Sequence, residues 1–151
     1  MKRIQFIPAI LTSLSIIFSL ASCTNDDQAV PSQNVIENNM QTGGWRITSF
    51  IDSGNNETSH FSGYTFTFGS NGVLTSTNGN ITHAGTWNIT DSNSSDDSPE
   101  DLDFNIAFNN SNDFEDLTED WQIVSQSSTR IELIHISGDN GGTDNLIFEK
   151  M

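Results

Sequence analysis

The stretch Leu102-Asp103-Phe104-Asn105-Ile106-Ala107-Phe108 alternates apolar residues with polar or small ones without interruption. Successive side chains of a β-strand point to opposite faces, so this pattern places four apolar side chains on one face of a strand. Tyr64-Thr65-Phe66-Thr67-Phe68 and the row Ile131, Leu133, His135 have the same period of two. The pattern is typical of a sheet with one buried face, and it predicts an all-β fold.

Eight strands are predicted, at residues 44–51, 60–68, 72–77, 81–90, 101–109, 119–126, 129–136 and 144–150. Their connections are short: Asn71-Gly72 and Asn78-Gly79 supply the positive φ of tight hairpins, and Ser127-Ser128 leaves room only for a turn. No segment fits the crossover helix that parallel strands require. Eight strands joined by sequential hairpins can close into a barrel, so we expect an eight-stranded antiparallel up-and-down barrel.

The first 22 residues have the parts of a secretory signal peptide. Lys2 and Arg3 form a positive start, Phe6 to Leu20 is an apolar run, and small residues follow it. A membrane-spanning helix is the alternative, but it needs about 20 consecutive apolar residues, and this run is shorter and interrupted. Leu20-Ala21-Ser22-Cys23 resembles the bacterial lipobox. That resemblance implies cleavage before Cys23 and lipid on its sulfur and on the new amino terminus.

These features divide the chain into a signal peptide (1–22), an acylated flexible tether (23–34) and one barrel domain (35–151). Ser32 is placed to cap a short N-terminal helix in which Ile36 and Met40 share a face. Asp26-Asp27, close behind Cys23, resembles the export tag of surface-exposed lipoproteins of Bacteroidetes, although two solvated aspartates in a linker would look the same. We expect a lipid-anchored, surface-exposed protein of the outer membrane. Cys23 is the only cysteine, so the domain has no disulfide.

The chain is strongly acidic, with five Lys and Arg against 20 Asp and Glu. Without residues 1–22, only Arg46, Arg130 and Lys150 remain as fixed cations, and three cations against 20 acids leave a net charge of −17. Nucleic-acid affinity depends on cationic side chains that neutralise phosphates, so nucleic acid is excluded as a partner. Attraction to anionic headgroups is excluded for the same reason. The N-terminal lipid is therefore the expected contact with the membrane.

Three strands carry the same short pattern: Trp45-Arg46-Ile47-Thr48, Trp87-Asn88-Ile89-Thr90 and Trp121-Gln122-Ile123-Val124. In each strand the Trp and the Ile two places on point to the same side, which predicts a role in core packing. Gly43-Gly44-Trp45 opens the first strand just after the expected helix. It resembles the G-x-W opening of the lipocalins and, more closely, the lipocalin-like lipoproteins of Bacteroidetes.

The likeness covers most of the mature chain, through Trp45 to Phe50, residues 61–68, Gly85-Thr86-Trp87, residues 114–121 and the Thr143–Lys150 strand. It implies a lipocalin-like barrel in which Trp45 packs across the closed end, beneath an arginine from a late strand. Arg130 is the only late arginine of this sequence. The resemblance therefore implies a barrel-closing pair of Trp45 and Arg130.

Two sets of residues are candidates for binding. The first set is the aromatic side chains expected to point inward: Tyr64, Phe66, Phe68, Phe104 and Phe108. They suit a small apolar ligand near the open mouth of the barrel, and the alternative is that these rings simply fill the barrel. The second set is the acidic loop after the fourth strand, with Asp91, Asp96, Asp97 and Asp101. Its carboxylates are oxygen donors of the kind that Ca²⁺ takes, and the alternative is a solvated loop.

The sequence contains none of the constellations that predict catalysis: it has no Gly-x-Ser-x-Gly elbow, no His-Glu-x-x-His pair and no phosphate-binding Gly loop. His60, His83 and His135 are far apart in the chain, and Glu119 and Asp120, as neighbours in a strand, are expected on opposite faces. We therefore expect a protein that is not an enzyme and has no cofactor other than the Ca²⁺ considered above.

Two functions remain open on the sequence. The first is a lipid-anchored envelope lipoprotein whose lipocalin-like barrel binds a small hydrophobic ligand. The second is a non-catalytic surface interaction or structural module that contacts protein or glycan through its acidic loops. The sequence does not identify a protein partner.

Overall fold

The computed structural model describes residues 32–91, 102–109, 112–137 and 142–151. Eight antiparallel strands follow one another around a barrel, and pairing of the first with the last closes it. They are β1 (Trp45–Asp52), β3 (Thr65–Phe68), β4 (Val73–Asn78), β5 (Ile81–Asp91), β6 (Leu102–Phe108), β7 (Asp120–Gln126), β8 (Arg130–Ile136) and β9 (Thr143–Lys150). The two-residue β2 (Asn55–Asn56) pairs with the end of β1, and the helix α1 (Gln33–Met40) precedes the barrel. The predicted all-β barrel with a short N-terminal helix is confirmed.

The second predicted strand, 60–68, begins too early. Thr58–Phe61 forms a short 3-10 helix, and Gly63 has a φ of 81°, which an L side chain rarely adopts. This turn redirects the chain before β3 begins, so that Phe61 is buried at 2% exposure instead of joining a strand. The tight turns at Gly72 and Gly79 have the predicted positive φ, 78° and 59°.

Antiparallel order gathers the connections at two ends of the barrel. The helix end contains the start of β1, the end of β9, and the β3–β4, β5–β6 and β7–β8 connections. The far end contains the remaining connections, between β1 and β3, β4 and β5, β6 and β7, and β8 and β9.

Helix α1 lies across the helix end. Gln33 Nε2 donates to the Ile89 carbonyl (3.1 Å), and Trp45 Nε1 donates to the Met40 carbonyl (2.9 Å). Ile36 and Met40 are buried, as their predicted shared face requires, while Ser32 stands at the N-cap position without a side-chain cap bond. The helix begins inside the segment predicted as tether. Within the described ranges, no helix is long and apolar enough to cross a membrane.

The barrel core is aromatic and closely packed. Trp45, Trp87 and Trp121 are all buried, at 0%, 5% and 0% exposure, as the repeated Trp pattern predicts. Gly85 faces this core, and a Cβ there would stand 2.4 Å from the Ala107 carbonyl oxygen and 2.8 Å from the Phe108 ring. Only glycine lets β5 and the Phe108 ring approach this closely.

Candidate functional site

Four of the five aromatic residues predicted to bind a ligand lie in the packed core. Phe66, Phe68, Phe104 and Phe108 are 0–5% exposed. The Phe68 ring makes edge contacts with Phe104 at 5.8 Å between centroids, and further edge contacts with Trp87 and Phe148. These rings pack against one another. Their arrangement supports the alternative that side chains fill this part of the barrel.

The far end, where an open mouth was expected, is covered by Phe114. This residue lies between β6 and β7 and is 3% exposed. Its ring stacks on His83 at 4.2 Å between centroids and makes edge contacts with Phe61 (5.3 Å), Tyr64 (5.2 Å) and Phe108 (5.0 Å). Sequence reasoning gave Phe114 no role in closing the barrel, since a single apolar residue in a polar loop has no period. The one sign of a special role in the sequence is that Phe114 is a single apolar residue among Asn, Asp and Glu.

A polar group lies beneath this aromatic cover. Ser76 is fully buried, and its Oγ has no hydrogen-bond partner within the described part of the chain. In the sheet it stands between Phe66 of β3 and His83 of β5. Tyr64, which is half-buried, brings its hydroxyl to 3.4 Å from His83 Nε2. Tyr64 is thus the one predicted ligand residue near solvent.

At the helix end, the cation above Trp45 is Lys150. Its Nζ lies 5.0 Å from the centre of the Trp45 ring and donates to Thr42 Oγ1 at 3.0 Å. Arg130, the expected partner, instead lies beside Glu132 (2.8 Å) and Glu149 (3.9 Å). The strand alternation explains this: Ile131 points into the core, so Arg130 points outward.

Charge is distributed unevenly between the two ends of the barrel. Among the described residues the helix end has both cations and carboxylates, whereas the far end has carboxylates and no fixed cation. The fixed cations of the described residues, Arg46, Arg130 and Lys150, all lie at the helix end. In the described part of the chain, seven exposed or half-buried carboxylates lie at the far end, and we call them the far-end carboxylates: Asp52, Glu57, Asp113, Glu115, Asp116, Glu119 and Asp120. The three histidines, far apart in sequence, also lie there.

Repulsion between the far-end carboxylates acts on Asp116. Burial raises the pKa of Asp116 above its usual value, and the negative charges of Asp52 and Asp113 raise it further. His60 stands beside this group, with Nε2 3.3 Å from Glu57 and Nδ1 3.6 Å from Asp113. These contacts join the segment after β2 to the segment before β7.

Two carboxylates, Glu119 and Asp120, lie close to a second histidine, His135. One ring nitrogen of His135 and one oxygen each of Glu119 and Asp120 lie within 4.8 Å of one another. The expectation that Glu119 and Asp120 point to opposite faces was wrong because Glu119 precedes β7. It lies in a tight bend, where its N–H donates to the Leu117 carbonyl at 3.1 Å and strand alternation does not apply.

Several predicted residues lie outside the described ranges. Cys23, the expected lipidation site, and Asp96, Asp97 and Asp101 of the expected Ca²⁺ loop are among them. Asp91, the fourth candidate Ca²⁺ ligand, is exposed at the end of β5, at the helix end. These two sites remain predictions from the sequence.

A depression of about 430 Å³ lies on the outer face of β5 and β6. Its lining includes the polar side chains of Thr86, Thr90 and Asn105, which alternate with the buried residues of their strands. It is therefore separate from the aromatic residues predicted to bind an apolar ligand.

The crystal structure of a DUF4847 family protein from Bacteroides vulgatus is similar to the chain. The TM-score is 0.46, and the sequences are 16% identical over 77% of this chain and 97% of that one. No protein-family model matches the chain, and no curated protein does. The residues themselves are therefore the basis for the function proposed below.

Proposed function

We propose that the chain is a non-catalytic interaction module, lipid-anchored through Cys23 at the outer membrane and exposed at the cell surface. Its far end contacts a protein partner of positive charge. The observation that carries this proposal is the uneven distribution of charge: every fixed cation of the described residues lies at the helix end, so the far-end carboxylates have no fixed cation among them.

The electrostatics of the far end support a cationic partner. Asp116 has a raised pKa because it is partly buried and because neighbouring carboxylates repel its charge. A lysine or arginine brought by a partner would relieve that repulsion. A single-sign surface also steers a partner of opposite charge and repels partners of like charge. The chemistry therefore favours a basic protein surface.

The position of α1 supports an outward-facing far end. The helix starts at Gln33, ten residues after Cys23, and contacts Ile89 at the helix end. Ten residues span at most about 35 Å, so an anchor at Cys23 keeps the helix end within about 35 Å of the membrane. The far end, on the opposite side of the barrel, is then free to meet a partner.

A fluorescent octalysine peptide tests the charge argument. Binding is measured by anisotropy for the wild type, for the far-end variant Glu57→Gln/Asp113→Asn/Glu115→Gln, and for a control that removes three charges at the helix end, Glu37→Gln/Asp91→Asn/Glu149→Gln. At low ionic strength the far-end variant should bind about 10-fold more weakly, at about 0.5 kcal/mol per exposed charge. The control should lose much less.

Salt supplies the second comparison. The Debye length falls from about 30 Å at 0.01 M to about 8 Å at 0.15 M ionic strength, so the difference between the two variants should shrink as salt is added. Equal weakening in both variants at every salt concentration would mean that only net charge matters. The proposal of a far-end contact surface would then be wrong.

A small apolar ligand is the second candidate function. It is supported by the Ser76 hydroxyl beneath Phe114, which has no hydrogen-bond partner among the described residues, and by the half-buried Tyr64 beside Phe114. Such a ligand would take the place of the Phe114 ring. It would also give the Ser76 hydroxyl a hydrogen-bond partner. Native mass spectrometry of the full chain, purified in detergent from its own envelope, should then reveal a co-purified small molecule. Only the unliganded mass would count against this candidate.

A further inference from the structure

The group formed by Glu119, Asp120 and His135 has donors of the kind that bind a transition metal. A neutral imidazole nitrogen suits Zn²⁺, Cu²⁺ and Ni²⁺, and carboxylate oxygens complete many zinc sites. His135 Nε2 lies 3.6 Å from Glu119 Oε2, and Nδ1 lies 3.9 Å from Asp120 Oδ1. The side chain of His135 is 17% exposed, so the imidazole is largely enclosed while the carboxylates reach solvent.

The orientation of the imidazole leaves one nitrogen available for a metal. Nδ1 lies 3.2 Å from the Asp120 carbonyl oxygen, which can only accept, so Nδ1 carries a proton. When Nε2 carries no proton, its lone pair faces Glu119. A hydrogen bond from the other ring nitrogen to a backbone carbonyl is the usual support of a metal-binding histidine.

The distance between Nε2 and Glu119 also fits a metal better than a hydrogen bond. At 3.6 Å it exceeds the roughly 2.7–2.9 Å of a charge-assisted hydrogen bond. Two ligands of a tetrahedral zinc ion, each about 2.1 Å from the metal, stand about 3.4 Å apart. A lone pair and a carboxylate oxygen facing each other repel unless a proton or a metal ion lies between them. A small movement of Glu119 would bring both ligands to bonding distance.

The backbone that holds these donors is fixed by the sheet. Asp120 pairs with Asn105 of β6, and the Glu119 carbonyl accepts from the Ile106 N–H at 3.0 Å. His135 pairs with Asp144 of β9, and its ring makes an edge contact with Trp121 at 6.1 Å between centroids. Donors on paired strands reach a binding geometry with little loss of conformational entropy.

We propose that Glu119, Asp120 and His135 bind one Zn²⁺ ion, with water in the remaining position. This site is distinct from the Ca²⁺ loop predicted from the sequence. Glu119 and Asp120 belong to the far-end carboxylates, but zinc binding does not require the proposed basic partner. Zinc would link the start of β7 to the end of β8.

Calorimetric titration of the full chain in detergent with ZnCl₂ tests this site, together with NMR of the histidine rings. The wild type should bind one Zn²⁺ with a shift of the His135 ring signals. His135→Gln and Glu119→Gln should each weaken this binding at least about 10-fold, as the loss of a ligand requires. Glu119→Gln keeps the enclosed imidazole, so its result is interpretable even if His135→Gln unfolds the chain.

His60 provides the matched control. It also lies between two carboxylates, but among the described residues His60, Glu57 and Asp113 do not form a group of three donors within 4.8 Å of one another. His60→Gln should therefore leave zinc affinity unchanged. Three results would overturn the proposal: no zinc binding by the wild type, zinc binding that Glu119→Gln leaves intact, or preferential binding of Ca²⁺ that does not move the His135 signals.

Discussion

Replacing Phe114 by Ala should destabilise the barrel by about 3 kcal/mol. Phe114 is 3% exposed, so its ring is almost fully removed from water, which contributes about 2 kcal/mol. Loss of its contacts with Phe61, Tyr64 and Phe108 adds about 1 kcal/mol. The sum lies at the lower end of the range for Phe→Ala in cores, as expected for a residue between strands, where the chain can relax.

Urea unfolding followed by tryptophan fluorescence measures this change in the free energy of unfolding. A domain of this size loses about 4 °C in Tm per kcal/mol, so thermal unfolding should show a decrease of about 12 °C. Val35→Ala is the control, because Val35 is 46% exposed on α1 and its loss should cost less than about 0.5 kcal/mol. A loss below about 1 kcal/mol for Phe114→Ala, with an unchanged m-value, would show that this ring does not close the far end.

Three further results are expected. Gly85→Ala should lower the free energy of unfolding by about 1–3 kcal/mol in urea titration, since its Cβ would collide with the Ala107 carbonyl and the Phe108 ring. Asp116→Asn should raise Tm at pH 7. The raised pKa means that ionised Asp116 opposes folding, so the gain should vanish as the pH falls through that pKa toward 3.8, and a gain that persists there would contradict this cause. Cys23→Ser should abolish incorporation of labelled palmitate and release the chain from the membrane fraction, and membrane retention would contradict the lipid anchor.

The sequence predicted the barrel because its wall has a simple period. Phe104 and Ile106 alternate with polar residues, and Gly72 and Gly79 mark turns that require positive φ. A period of two specifies which residues face inward, and the short turns specify which strands are neighbours. The core and the strand order follow from these two facts.

The ends of the barrel were not predictable in the same way. Phe114 covers the far end from a loop, where no periodicity indicates the direction of a side chain. Lys150 lies above Trp45, and Arg130 does not. Arg130 points away from the core on β8, so it cannot reach the ring. His135 meets Glu119 only because the bend before β7 departs from strand geometry. These contacts depend on where connections fold in space.

The pairing of β1 with β9 has a consequence for how the molecule is made. Trp45 lies opposite Lys150, so β1 waits for β9 until the strands between them have been synthesised. Contacts between residues so distant in sequence form slowly, and an unpaired strand edge can recruit another chain in the meantime. Loss of the final strand would expose two edges at once, of β1 and of β8. Correct closure of the barrel therefore depends on the eight residues of β9.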